Sequence, residues 1–176
     1  MIKKLTDFIK CYENILSVKL CQDIIKNHDC IVRAQVGEGS LSNKRKCYEE
    51  PLGKKFDKDI FKAVGTILDK YSKDHTSFRT GLNTEDTGYL VLKYKGTEKG
   101  EYKEHVDHYD LQPRVLSCSF ILNDNYDGGN FSFLRGEHTI KKKTGSAVVF
   151  PSNFCFPHAV TPVSNGDRYA IVTWIH

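Results

Sequence analysis

Apolar residues recur at every third or fourth position in two stretches of the first half of the chain, and at every second position through much of the second half. In the first stretch Ser17 is suited to cap a helix running through Val18, Leu20, Cys21, Ile24 and Ile25, with its end expected near His28. In the second, Ile60, Phe61, Val64, Ile67, Leu68 and Tyr71 keep helical spacing, and Asp57 is the expected cap. The first sixty or seventy residues therefore read as mostly helical. Between the two helices, residues 37–55 are rich in Gly, Ser, Lys and Glu and contain Pro51, which predicts a strand-flanked exposed loop of the kind that often carries function.

From Gly88 the period becomes two. Leu90, Leu92 and Tyr94 alternate with Tyr89, Val91 and Lys93, and Leu116, Cys118, Phe120 and Leu122 alternate with Ser117 and Ser119, the pattern of a half-buried strand. Asp127-Gly128-Gly129-Asn130 predicts a turn leading into Phe131 and Phe133. Short strands are expected around 147–150, 156–163 and 168–175. Helices followed by many short strands predict an α+β protein built on a sandwich or jelly-roll barrel. No repeat, low-complexity tract or linker divides it, so a single domain over 1–176 is expected, with helical support over about 1–80 and a β core over about 85–176.

At 176 residues the chain is long enough to bury a core unaided, and with 27% charged and 39% hydrophobic residues it is too apolar for disorder. The 26 basic against 22 acidic side chains leave a charge of +4, which reads as a solvated lysine-rich face and does not single out nucleic acid. No apolar run reaches the length of about 18 residues that a membrane span needs, and charge returns at Asp7 and Lys10 before a signal-peptide core forms. Cys11, Cys21, Cys30, Cys47, Cys118 and Cys155 form no Cys-x-x-Cys pair and read as thiols in a reducing compartment. A cytoplasmic protein with no membrane partner is the expectation, and a monomer is favoured.

The chemistry concentrates in His105-Val106-Asp107. Residues i and i+2 of a strand project from one face, so this imidazole and carboxylate can reach a single ion. His158, in the apolar strand-rich C-terminal stretch, is the natural third ligand, and two His with one carboxylate leave three adjacent positions open on Fe(II). Arg168 follows across the turn-like 162–167, which predicts that it and His158 lie on neighbouring strands of a hairpin. Its same-face neighbours Ala170, Val172 and Trp174 would bury the guanidinium without a partner, unless a carboxylate is supplied to it. A second His-x-Asp frame, His108 and Asp110, lies nearer the Leu111-Gln112-Pro113 turn; the first is preferred because of Tyr102-x-x-His105.

His105-x-Asp107, then Tyr126-Asp127-Gly128-Gly129 with Phe131 and Phe133, then the run from Gly145 to Pro151, then His158-x-Val160-x-Pro162-Val163-x-x-Gly166-x-Arg168-Tyr169 ending at Trp174 together resemble the Fe(II)/2-oxoglutarate oxygenase superfamily, in its prolyl-4-hydroxylase-like branch. The resemblance covers about 85–176. It implies a double-stranded β-helix, Fe(II) on His105, Asp107 and His158, and 2-oxoglutarate with its far carboxylate on Arg168. It also implies consumption of O2, release of succinate and CO2, hydroxylation of a protein or peptide, most readily at proline, and ascorbate as an auxiliary reductant. Tyr94 resembles the family tyrosine whose hydroxyl lies near the co-substrate, although it also reads as aromatic core. Phe120 stands where some members place a tyrosine that bonds 2-oxoglutarate, a departure that puts those contacts in doubt. Residues 37–55 resemble in position a loop that closes over peptides, with Arg45 in it; Tyr102 and Arg45 are candidate substrate residues, and so is Trp174, which reads first as core. His28, His75, His138 and His176 read as surface residues. Other readings on the same barrel are an oxidative nucleobase demethylase, which salt-sensitive binding to single-stranded DNA would reveal, a silent binding module, and a zinc hydrolase, which has no need of Arg168.

Overall fold

The computed structural model describes residues 3–36, 43–79, 85–108 and 113–176. In chain order the elements are β1 (Lys10–Tyr12), α1 (Val18–Lys26), β2 (Val32–Arg33), β3 (Arg45–Lys46), β4 (Tyr48–Pro51), α2 (Lys54–Asp74), β5 (Leu90–Lys95), β6 (Glu101–His105), β7 (Leu116–Ile121), β8 (Asp127–Gly128), β9 (Phe131–Phe133), β10 (His138–Ile140), β11 (Ala147–Pro151), β12 (His158–Val160), β13 (Val163–Asn165) and β14 (Asp167–Ile175).

Both helices form where the apolar spacing places them. The Ser17 hydroxyl accepts from the Leu20 amide and caps α1, which ends at Lys26. Helix α2 starts earlier than expected. Its cap is Gly53, and Asp57 lies inside the first turn, where its carboxylate complements the positive end of the helix. His28 supplies what Gly53 lacks. Its Nε2 accepts from the Gly53 amide at 2.9 Å while its Nδ1 donates to the Ile24 carbonyl at 2.7 Å, so one buried ring ties the end of α1 to the start of α2. His75 is buried too, stacked on Phe8, so neither histidine is the surface residue that was expected. Phe61 sits on the outward face of α2 and is exposed. No helix among the described residues is long and apolar enough to cross a membrane.

The strands make two facing antiparallel sheets, a jelly-roll consistent with a double-stranded β-helix. Among the described residues, one sheet runs β1-β11-β7-β14-β5-β4-β2 and the other β10-β9-β12-β6-β3, with a small pair β13-β8 at one end. The outer face of the larger sheet carries Val91, Cys118, Phe120, Val149 and Ile171 against Cys21, Ile24, Ile60, Val64 and Ile67 of the helices. Its inner face carries Leu92, Tyr94, Ile121, Val148 and Phe150 toward Phe131, Phe133 and Val160 of the smaller sheet. A strand in this position is covered twice, so β7 is buried at every residue rather than half-buried. The small polar Ser117 and Ser119 face inward, not to solvent.

Residues 43–55 are not the exposed loop that was expected. They form β3, which extends the smaller sheet, β4, which extends the larger one, and the start of α2, with Cys47 fully buried at the crossover. The N-terminal part thus supplies two helices and, in addition, strands to both sheets. Residues 37–42 of that stretch lie outside the described residues.

The path from His158 to Arg168 also differs from the expected hairpin. Strand β12 belongs to the smaller sheet, β13 turns aside to pair with β8, and β14 enters the larger sheet between β5 and β7. The crossover is tight: Gly129 donates its amide to the Pro162 carbonyl, and a side chain on Gly128, which has φ +66, would overlap that same oxygen. His158 and Arg168 therefore stand on opposite walls of the barrel.

Candidate metal centre

His105 closes β6, His158 opens β12, and the two are register partners, so backbone pairing alone sets their rings 4.2 Å apart between centroids. Strand β6 ends at His105, and Asp107 follows on the irregular segment beyond it with its carboxylate turned back to the imidazoles. Asp107 Oδ1 lies 3.5 Å from His105 Nε2, and Oδ2 lies 3.5 Å from His158 Nε2. One nitrogen or oxygen from each of the three residues falls within 4.8 Å of the others. Each ring is oriented through its other nitrogen: His105 Nδ1 lies 2.9 Å from the Lys103 carbonyl and His158 Nδ1 3.1 Å from that of Phe156. A carbonyl only accepts, so each Nδ1 carries a proton and each Nε2 is the ring nitrogen turned inward to the carboxylate.

The charges suit a cation. Burial works to raise the Asp107 carboxyl, but His158, His105 and the Ser117 hydroxyl outweigh it and hold the group well below the usual carboxylate range. Burial pushes His158 down to about 4, so it is a neutral donor near pH 7. Two imidazoles and one carboxylate, with an open cavity in front, are a donor set that fits Fe(II).

The cavity holds about 490 Å³ and runs from this cluster to Arg168, past Leu92, Phe131, Val160 and Val172. Arg168 is only 3% exposed. Its guanidinium lies 4.9 Å over the Tyr94 ring and 6.0 Å from that of Phe131, and it bonds the Tyr126 hydroxyl. Among the described residues it makes no ion pair, so a buried cation faces the cavity without a carboxylate. That is the arrangement a small diacid would complete.

The remaining predicted residues converge here as well. Tyr94 is the register partner of Arg168, fully buried, and bonded to Cys47; burial holds its phenol protonated. Tyr102 stacks on the His105 ring at 3.5 Å between centroids, and Arg45 lies 5.1 Å over Tyr102 while donating to the Gln35 carbonyl. Trp174, half-buried, lines the cavity with the Arg114 guanidinium 3.8 Å above its ring. His108 of the second frame is exposed, and Asp110 lies outside the described residues. Phe120 points to the helices, so its departure from the family tyrosine does not touch the cavity.

Sequence reading missed Arg114, which donates to the Asp107 carbonyl at 3.3 Å, and the inward hydroxyls of Ser117 and Ser119. The signal for the serines was present: two small polar residues alternating within an apolar strand mark a face that meets something other than core.

The sequence profile of the 2OG-Fe(II) oxygenase superfamily matches residues 89–176, which is half of the chain and includes all three metal-site residues and Arg168. The chain belongs to that superfamily. Within it, the similar proteins are of the prolyl-hydroxylase-like branch. A PKHD-type hydroxylase of Psychrobacter is 40% identical over 75 residues, covering 40% of this chain and 28% of that protein. Another, from Xylella fastidiosa, is 38% identical over 125 residues, 62% of this chain and 53% of the relative. The matched stretches thus span from about a quarter to about half of these relatives. In fold, the chain is similar to a prolyl hydroxylase of Trichoplax adhaerens solved in complex with a hypoxia inducible factor peptide, with TM-score 0.73 and 19% identity over 97% of this chain and 84% of that one. It is also similar to a viral collagen prolyl hydroxylase of Paramecium bursaria Chlorella virus-1, with TM-score 0.72 and 16% identity over 96% and 95%.

Proposed function

We propose that this chain is a Fe(II)- and 2-oxoglutarate-dependent dioxygenase that hydroxylates a protein or peptide, with a peptidyl proline as the group modified. The observation that carries the reading is a single cavity with His105, Asp107 and His158 at one place and, at another, the buried Arg168, which has no ion pair among the described residues. The relatives' names and the peptide-bound structural neighbour support the choice of substrate.

His105, Asp107 and His158 would hold the metal and, as only three protein ligands, would leave room on it for the co-substrate and O2. Bound Fe(II), with 2-oxoglutarate and O2, supplies the oxidation that puts one oxygen atom into a C–H bond of the substrate as the co-substrate becomes succinate and CO2. Arg168 would bind the far carboxylate of 2-oxoglutarate, a geometry its planar guanidinium suits, and so orient the co-substrate in the cavity. Tyr94 and Tyr126 brace the guanidinium, and the apolar walls at Leu92, Phe131 and Val172 keep water from competing for it. Tyr102, Arg45 and Trp174 border the mouth and are the residues we assign to the substrate side. Ascorbate serves as the auxiliary reductant. All six cysteines are free thiols, which supports a reducing, cytoplasmic setting, and the protein acts there as a monomer.

A library of proline-containing peptides incubated with the protein, Fe(II), 2-oxoglutarate and ascorbate tests this by mass spectrometry. The expected product is heavier by one oxygen atom, forms only with 2-oxoglutarate present, and is matched by succinate. Succinate without any oxidised peptide would retain the co-substrate chemistry and overturn the substrate. Oxidised peptide formed equally without 2-oxoglutarate would overturn the reaction.

A further inference from the structure

Behind Asp107 lies a short chain of hydroxyls whose direction can be worked out. Ser117 Oγ donates to Asp107 Oδ2 at 2.7 Å and lies 2.8 Å from Ser152 Oγ. A hydroxyl has one proton to give. Since the Ser117 proton goes to the carboxylate, Ser117 accepts at its second contact and Ser152 donates. Ser117 is 3% exposed and Ser152 1%, so neither bond is diluted by exchange with bulk water. The main chain around the relay is fixed as well. The Ser152 amide donates to the Val115 carbonyl, and Arg114 donates to the carbonyl of Asp107 itself.

The two histidines do not by themselves decide how the carboxylate meets a metal. Oδ1 stands 3.5 Å from one imidazole nitrogen and Oδ2 3.5 Å from the other, so either oxygen, or both, is within reach. Ser117 contacts Oδ2 alone. A carboxylate oxygen that accepts a short, charge-assisted hydrogen bond has one lone pair fewer to offer a metal, which favours the other oxygen as the ligand. Attachment through both oxygens would use one of the positions that the keto acid and O2 require.

We infer that Ser117, backed by Ser152, is a positioning residue that holds the Asp107 carboxylate as a one-oxygen metal ligand. The inference rests on the reading of His105, Asp107 and His158 as the metal site. The relay raises metal affinity by fixing the carboxylate before the ion arrives, and outer partners of this kind change affinity by roughly 10- to 100-fold. Ser152 touches the carboxylate only through Ser117, so its contribution disappears when Ser117 is gone.

Calorimetric titration of the protein with Co(II), without 2-oxoglutarate, reads this apart from turnover. Ser117→Ala is expected to bind Co(II) about tenfold or more weakly, Ser152→Ala to lose less, and the double variant to be no worse than Ser117→Ala. The visible spectrum of bound Co(II) should change in Ser117→Ala, because its coordination changes, and should stay nearer wild type in Ser152→Ala. Melting curves of the metal-free variants establish that each is folded. Wild-type affinity in Ser117→Ala, or losses that simply add in the double variant, would overturn the relay while leaving the metal site standing. A wild-type protein that binds no Co(II) would remove the metal site, and the relay with it.

Discussion

Replacing Arg168 with Met should raise the KM for 2-oxoglutarate by roughly 30-fold to several thousand-fold while leaving metal binding at wild-type affinity. The range follows from the cost of about 2–5 kcal/mol for deleting one partner of a buried, hydrogen-bonded charge pair. The metal is spared because Arg168 stands on β14 in the larger sheet, whereas His105 and His158 are paired in the smaller one. The same substitution should not lower the melting temperature of the protein without co-substrate. A guanidinium buried among Tyr94, Phe131 and Val172 with no anion beside it among the described residues is a liability to the free protein, and an apolar side chain of similar volume relieves it. Steady-state kinetics on succinate release, together with a thermal melt, check both halves. An unchanged KM would mean that the diacid is held elsewhere.

The second large effect separates two proposed ligands that the chemistry treats alike. His105→Ala and His158→Ala should each reduce metal content and succinate formation by more than about 100-fold, since losing a ligand costs more than losing one of its outer partners. Their effects on the fold should differ. His158 is buried against Phe150 at 4.7 Å and against Phe131 and Phe133 at 5.6 Å, so its removal opens a void in the barrel. His105 lies at the strand end and is more open to solvent than His158, its side chain 18% exposed against 5%, with Tyr102 stacked on its ring. His158→Ala is therefore expected to cost about 2–4 kcal/mol of stability and His105→Ala about 1 or less. Chemical denaturation of the metal-free variants measures this, and equal losses would show that the burial difference carries no weight.

The convergence of His105, Asp107 and His158 and the burial of Arg168 were legible because these residues sit in a local code. His-x-Asp spacing, a lone histidine in apolar strand surroundings and an arginine in the row Arg168, Ala170, Val172, Trp174 are all readable without knowing the pairing. What the pairing decides was not legible. Nothing local tells that β13 leaves to join β8, so the separation of His158 and Arg168 onto opposite sheets looked like a hairpin. Ser117 and Ser119 looked solvent-facing because hydropathy does not distinguish a polar residue turned to water from one turned to a site. His28 and His75 looked like surface residues because their partners lie far off in the chain. Arg45 and Cys47 looked like loop because two strands of two and four residues carry too little periodicity to stand out.

Anaerobic addition of Fe(II) and then 2-oxoglutarate, followed by visible absorption, is the most direct test of the proposed chelate. If the metal sits on His105, Asp107 and His158 with the keto acid bound to it and Arg168 at the far carboxylate, a weak charge-transfer band appears on adding 2-oxoglutarate. It should saturate at one equivalent of iron, need far more 2-oxoglutarate in Arg168→Met, and be absent in His158→Ala. No band in the folded wild-type protein, or a band that persists in His158→Ala, would contradict the site.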